Sequence, residues 1–173
     1  MKHLLLLLIL AFACMTLTAQ PHFETLTERP NEKTFKGVLN RDVLKADSSF
    51  GWFEENYKAY IPHKEGLASL QQFRDSVQLL VFMGTWCDDS HFVIPRLYAM
   101  ADAAGFQENR ITLMGADRKK QTWGGIMEAL SVKNLPTIII YHNGKELGRV
   151  VEYGRYGQFD REMGEIISAA FKH

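Results

Sequence analysis

Cysteine is scarce in this chain. Its 173 residues hold two, at positions 14 and 87. That excludes a disulfide-dense miniprotein, and two thiols are too few for a cysteine-rich zinc site. Net charge is also missing, with 20 Lys and Arg against 20 Asp and Glu. A strong global basic field is therefore excluded, and bulk electrostatics give no reason to expect nucleic acid as a partner. Internal repeats, low-complexity tracts and a linker between comparable domains are absent too. With 46% hydrophobic and 23% charged residues, the composition excludes collagen-like and largely disordered chains. The length suits one domain with a full-sized core and an extension.

The N-terminus changes the cysteine arithmetic. Lys2 and His3 precede an unbroken apolar run over residues 4–13 that opens with five Leu. Polar and small residues follow at Thr16, Thr18 and Ala19. This is the pattern of a signal peptide, and the run is too short for a comfortable membrane span. Cleavage after Ala19 makes residues 1–19 the signal and Gln20 the first mature residue, with no membrane span in the mature chain. The rival is a lipoprotein signal with Cys14 as the lipidated residue. It fits less well, because bulky Phe12 lies next to the cleavage point. Either way Cys14 is no disulfide partner for the folded domain. The expected location is exported, periplasmic or secreted, and the mature chain keeps one thiol there. Such a thiol is either buried or reactive.

Residues 20–62 read as an N-terminal arm. Up to about residue 46 it is polar and weakly patterned, with Pro21, Pro30 and several charges, and suggests an extended or poorly ordered lead-in. Asp47 and the serines after it cap a short helix bearing Phe50, Trp52, Phe53 and Tyr57, aromatics expected to pack on the domain. From residue 63 to 173 the texture is that of a domain. Helical spacing over 66–75 leads to a doubly buried strand at 77–83. A helix over 90–104 ends at Gly105. A strand at 111–114, a weak helix over 122–130 and a β-branched strand at 137–141 follow. His142-Asn143-Gly144-Lys145 is a hairpin turn into a strand at 147–151, and residues 158–171 form a closing helix. Strands that alternate with helices should run parallel, with the hairpin adding an antiparallel edge. The expected fold is α/β, with a central mixed sheet flanked by helices on both faces.

Chemistry points to Gly84-Thr85-Trp86-Cys87-Asp88-Asp89-Ser90-His91, between the buried strand and the next helix. A thiol there faces the unpaired N–H groups of a helix start, and the dipole favours its thiolate, the nucleophilic form. The other reading is a small apolar core residue; the acidic residues and Ser90 that follow suggest a chain leaving the core. Asp88 and Asp89 suit a helix N-terminus, yet they also place negative charge beside a would-be thiolate. His91 lies one helical turn after Cys87. A Cys–His pair and a solvated histidine are both open, and the exposed first turn favours the second. A metal held by Cys87, Asp88, Asp89 and His91 is not expected, because adjacent residues rarely converge on one ion. The run Asp117-Arg118-Lys119-Lys120 reads as a solvated loop. Arg149, Arg155 and Arg161 read as surface charges, and Trp123 as a packed residue.

Three features resemble the thioredoxin superfamily, over about residues 66–173. Trp86-Cys87 follows an apolar strand, where the family has Trp-Cys-x-x-Cys. Pro95 falls eight residues after the cysteine, where the family's active-site helix has a kinking proline. Val132-Lys133-Asn134-Leu135-Pro136-Thr137-Ile138, with Tyr141-His142-Asn143-Gly144-Lys145 after it, is similar to the family's cis-proline loop, strand and hairpin. The resemblance is nearest to exported bacterial thioredoxin-like proteins with a single-cysteine Trp-Cys-Asp-Asp-Ser motif. It implies a cis Leu135–Pro136 bond beside Cys87. Leu135, Pro136 and Thr137 would present backbone to an extended substrate, and Trp86 an apolar docking surface. It implies no cofactor. The family's second cysteine falls on Ser90, which cannot close an internal disulfide, and its buried carboxylate falls on Val81. What remains is monothiol chemistry on protein disulfides or small thiols, with Cys87 as nucleophile and Ser90 as its hydrogen-bond partner. The alternative is a redox-inactive binding module that docks extended peptides or proteins. A disulfide-linked homodimer through Cys87 is a third use of the same thiol.

Overall fold

A computed structural model of the chain describes residues 22–172. The N-terminal arm begins as a hairpin of two strands, β1 (Phe23–Arg29) and β2 (Glu32–Leu39). Helices α1 (Arg41–Ala46) and α2 (Trp52–Lys58) follow, then α3 (Lys64–Phe73) and strand β3 (Gln78–Met83). The long helix α4 (Asp88–Ala104) leads to β4 (Ile111–Gly115). A four-residue helix α5 (Ile126–Ala129), the hairpin β5 (Thr137–His142) and β6 (Lys145–Val151), and helix α6 (Phe159–Ala170) complete the chain.

The six strands form one sheet in the order β1-β2-β4-β3-β5-β6. Only β3 and β4 are parallel, with Val81 opposite Leu113; the other neighbours are antiparallel. The period-2 alternation of strands feeds two cores. Leu79, Val81, Met83, Leu113, Ile138 and Ile140 join α2, α3, α4 and α6 on one face. Phe82, Met114 and Ile139 face the other, covered by Met127, Val132 and Leu135. Helices thus lie on both faces, but the second face carries only α5 and the connection around it.

The chain departs from its local sequence pattern in two places. Residues 20–46 were expected as an extended or poorly ordered lead-in, whereas residues 23–39 are a hairpin built into the sheet. Pro30 and Asn31, the latter with φ 61, make its two-residue turn between paired Arg29 and Glu32. Proline presets the first turn position and asparagine tolerates positive φ at the second. Phe35 and Leu39 go into the main core at 5% and 6% exposure. Secondly, β5 is antiparallel to β3, not parallel. The connection over residues 116–136 starts where β4 ends, and it delivers Thr137 opposite Phe82, at the same end of the sheet. Its one α-helix is too short to carry the chain back along a strand, about 6 Å at 1.5 Å per residue.

Elsewhere local signals translate directly. Asp47 caps the turn before α2, accepting from the Ser49 N–H at 3.0 Å. Phe53 is buried and Trp52 packs against the core. Gly105 ends α4 with φ 64, and Asn143 and Gly144 both take positive φ in the β5–β6 turn. The expected signal sequence, residues 1–19, lies outside the described residues.

Candidate functional site

Cys87 is the N-cap of α4, in extended backbone conformation, and it is half-buried. Its N–H donates to Gly84 O at 3.1 Å, and its carbonyl accepts the His91 N–H at 3.0 Å. The thiol therefore sits at the open end of a 17-residue helix that carries Asp88 and Asp89 in its first turn and Pro95 inside. Its sulfur donates to Leu135 O at 3.5 Å, and the Leu135–Pro136 peptide is cis. Cys87, Trp86 and Leu135 pack in one cluster on the second face of the sheet. The Leu135 N–H makes no hydrogen bond among the described residues. Pro136 O accepts the Glu152 N–H at 2.7 Å, and the Thr137 hydroxyl donates to Asn134 O at 2.8 Å. The loop is thus pinned from both sides beside the sulfur.

Trp86 is fixed by its ring N–H, which donates to Ala116 O at 2.9 Å. Gly84 makes room for the indole: a Cβ there would lie 2.7 Å from Trp86 Cε2. The Arg118 guanidinium stands 4.8 Å over the ring and forks onto Glu32, with Nε 2.7 Å from Oε1 and Nη2 on Oε2. This bidentate bond holds Glu32 below the usual carboxylate range.

The N-terminal hairpin builds part of this site. Thr85 is buried; its hydroxyl accepts the Phe35 N–H and donates to Lys33 O, each at 3.0 Å. Lys36 pairs with buried Asp117 at 2.8 Å. Asp117 in turn accepts the Gln121 N–H at 2.9 Å. Burial pushes the Asp117 carboxyl up, but Lys36 and the backbone N–H groups outweigh it and hold the group below its ordinary value. Residues 117 and 118 are therefore structural members of the site, not the solvated loop expected of this run. Nothing in their local pattern reveals partners some eighty residues away.

Two other residues are placed differently from expectation. Ser90 is fully buried and its oxygen accepts the Gly84 N–H at 3.2 Å, while the hydrogen bond of the Cys87 sulfur goes to Leu135 instead. His91 is neither solvated nor paired with Cys87. It stacks on Trp52 with centroids 4.2 Å apart, and its Nε2–H donates to Thr85 O at 2.8 Å. Its Nδ1 is 3.7 Å from Asp88 Oδ1. Of the two aspartates, Asp88 is fully exposed, whereas Asp89 accepts the Tyr153 hydroxyl at 2.7 Å. Tyr153, on the loop after β6, is a neighbour that sequence reading missed. Arg149 is half-buried, forked onto Glu146 and donating to Leu130 O. Among the described residues, no group of three or more His, Cys, Asp or Glu side chains could hold a metal ion.

The sequence matches the family described as Thioredoxin over residues 45–168. The chain belongs to the thioredoxin family. Its α/β sheet, cis-proline loop and cysteine at a helix start are the thioredoxin-like fold in this sequence. No curated protein matches the chain. Among solved structures, an HIV epitope scaffold is similar at TM-score 0.53 and 15% identity, covering 75% of this chain and 90% of its own. A protein of unknown function from Pseudomonas aeruginosa gives TM-score 0.49 and 16% identity, over 75% of this chain and 84% of its own. The first likeness bears on the fold alone. The matched range includes both Cys87 and Pro136. It leaves open what a single thiol does there.

Proposed function

We propose that this thioredoxin-family protein is exported and carries out monothiol exchange through mixed disulfides at Cys87. The observation that carries the reading is a half-buried cysteine at the start of α4, its sulfur 3.5 Å from Leu135 O on the cis-proline loop. Leu135 is 4% exposed, and its N–H, without a hydrogen-bond partner among the described residues, is the donor that an extended substrate backbone would have to reach.

The step balances without a second protein thiol. The Cys87 thiolate attacks one sulfur of a substrate disulfide. A Cys87–substrate S–S bond forms as the substrate's own S–S bond breaks, and the displaced thiolate takes a proton from water. A second thiolate, from a small thiol or another cysteine of the substrate, then attacks the mixed disulfide and releases Cys87 as thiolate. The protein undergoes no net redox change. Ser90 holds Gly84 and so braces the turn that carries Trp86 and Cys87; it resolves nothing. Partners are protein disulfides or small thiols.

The test is expression of wild type and Cys87→Ser in an oxidising compartment, with acid quenching and mass spectrometry of adducts. Discrete mixed disulfides on wild type and none on the variant are expected. A thiol that stays free on wild type overturns the exchange reading and leaves the fold as a redox-inactive binding module. Non-reducing gels on the same samples show whether any adduct is a second copy of the chain.

A further inference from the structure

A groove of about 540 Å³ opens beside the cis-proline loop. Lys36, Lys119, Lys120 and Lys133 line it, over an apolar floor of Met127 and Val132. That floor belongs to the same packed cluster as Trp86, Cys87 and Leu135. Lys133 lies two residues before Leu135 in the chain. The groove thus borders the chain segment that leads into the cis-proline loop, and its lining stops short of Cys87 itself.

Its charges are not balanced. Lys36 is neutralised by Asp117 at 2.8 Å. Lys120 donates to Lys133 O at 2.8 Å and Asn134 Oδ1 at 3.5 Å, both neutral acceptors. Lys119, Lys120 and Lys133 enter no ion pair among the described residues. Glu128 is the one acidic side chain of the lining. Three uncompensated ammonium groups thus face one carboxylate, in a chain whose overall charge is zero. The turn that carries two of them is held in place. The Lys120 N–H donates to Asp117 O at 2.9 Å and Asp117 N–H to Gln121 O at 3.0 Å, while Thr122 Oγ1 donates to Gly115 O at 2.7 Å. Lys119 and Lys120 project from a closed turn, with no loop to be ordered on binding.

We propose that this lysine groove docks an acidic polypeptide segment of the partner whose disulfide Cys87 attacks. The inference rests on the exchange reading and gives that site a substrate class. Charge complementarity selects an anionic occupant. The chemistry favours polypeptide over nucleic acid. No arginine and no aromatic ring line the groove, so neither bidentate phosphate recognition nor base stacking is provided. The nearby Arg118 is already committed to Glu32. The apolar floor suits side chains between the acidic ones. Asp88 and Asp89 stand in the first turn of α4 and are not part of the groove's lining, so negative charge belongs to the helix start and positive charge to the groove. Acidic residues belong toward the groove and not toward the start of α4.

The test uses three peptides, each with one cysteine activated as a thiopyridyl disulfide, differing only in a flanking block of Glu, Gln or Lys. Attack by Cys87 forms the protein–peptide disulfide and releases thiopyridone, which reports the rate. At about 20 mM salt the Glu peptide is expected to react about tenfold faster than the Gln peptide, a gap that closes near 0.5 M. In Lys119→Gln/Lys133→Gln the Glu-to-Gln rate ratio is expected to fall to about one. Equal rates for the three peptides on wild type overturn the proposal, as does a ratio that survives in the double variant. An oligonucleotide bearing the same activated thiol and captured as fast as the Glu peptide overturns the choice of polypeptide. Uncharged dipyridyl disulfide separates the two levels. If wild-type Cys87 reacts with it while the peptides show no preference, only the groove assignment fails. If Cys87 is silent toward it, the exchange reading fails and the groove assignment with it.

Discussion

Tyr153 and Asp89 join two parts of the site that are remote in sequence. The phenol donates to Asp89 Oδ1 at 2.7 Å, and its ring meets Phe92 edge-on at 5.1 Å. The bond to Asp89 pushes the Tyr153 hydroxyl up to about 12, with partial burial and the nearby negative groups adding to it. The sign follows from linkage. A proton held more tightly in the fold gives stability that is complete below the ordinary tyrosine value of about 10 and is lost as pH rises through about 12. The check is a tyrosinate absorbance titration of wild type minus Tyr153→Phe. Its midpoint is expected near 12, and in an Asp89→Asn background it should fall toward the ordinary value. A difference midpoint already at the ordinary value in wild type would show that the contact does not form in solution. At this scale the sequence was a partial guide. Cys87, Trp86 and Pro136 announce themselves, because a strand end, a helix start and a proline loop are local patterns. Ser90 and His91 could be named but not aimed, since their hydrogen bonds run to Gly84 and Thr85 backbone that carries no residue-type signal.

The hairpin of β1 and β2 is the element that sequence reading missed, and it braces the site. Glu24 and Glu28 are exposed and Lys36 is half-buried, which hides the alternation, while Thr34, Phe35 and Leu39 are buried. Long-range pairing with β4 turns that half-polar segment into strand, a decision that lies outside any local window. The pairing depends on Gly115. A Cβ there would meet Phe35 O at 2.2 Å and Leu39 Cδ1 at 2.8 Å. The first obstacle is backbone and has no rotamer to escape into. Gly115→Ala is therefore expected to cost about 1–3 kcal/mol, toward the upper end, by prising β2 from β4. Urea melts measure the loss. Hydrogen exchange should locate it at residues 33–39 and 113–115, with faster Cys87 alkylation as Thr85 loses its hold on Phe35 and Lys33. A variant with wild-type stability would mean that β2 does not lie so close to β4. The same long-range logic explains why β5 was read in the wrong direction: the strand itself was plain, and its orientation was set by the connection before it.

On the scale of the whole molecule, the expected cleavage point and the start of the sheet can be set against each other. The first ladder pair joins Phe23 to Gly37, and His22 O accepts the Val38 N–H at 2.7 Å. Cleavage after Ala19 leaves these contacts whole. A chain that starts at Gln20 keeps every hairpin hydrogen bond found among the described residues, and is expected to melt within about 0.5 kcal/mol of one that keeps residues 1–19. A chain that starts at Asn40 loses Phe35 and Leu39 from the core, bares the β4 edge and leaves the buried Thr85 hydroxyl without its two backbone partners. It is expected not to fold cooperatively, because several core and hydrogen-bond losses of about 1–5 kcal/mol each exceed the stability of a small domain. Thermal and urea melts of the two truncations check both statements. The mass of the product recovered from an oxidising compartment decides processing: a chain beginning at Gln20 supports export with signal removal, and one beginning at an acylated Cys14 supports the lipoprotein route. A product that retains residues 1–19 and stays with the reduced cytosolic fraction would overturn export. It would also take from Cys87 the oxidising surroundings in which substrate disulfides persist.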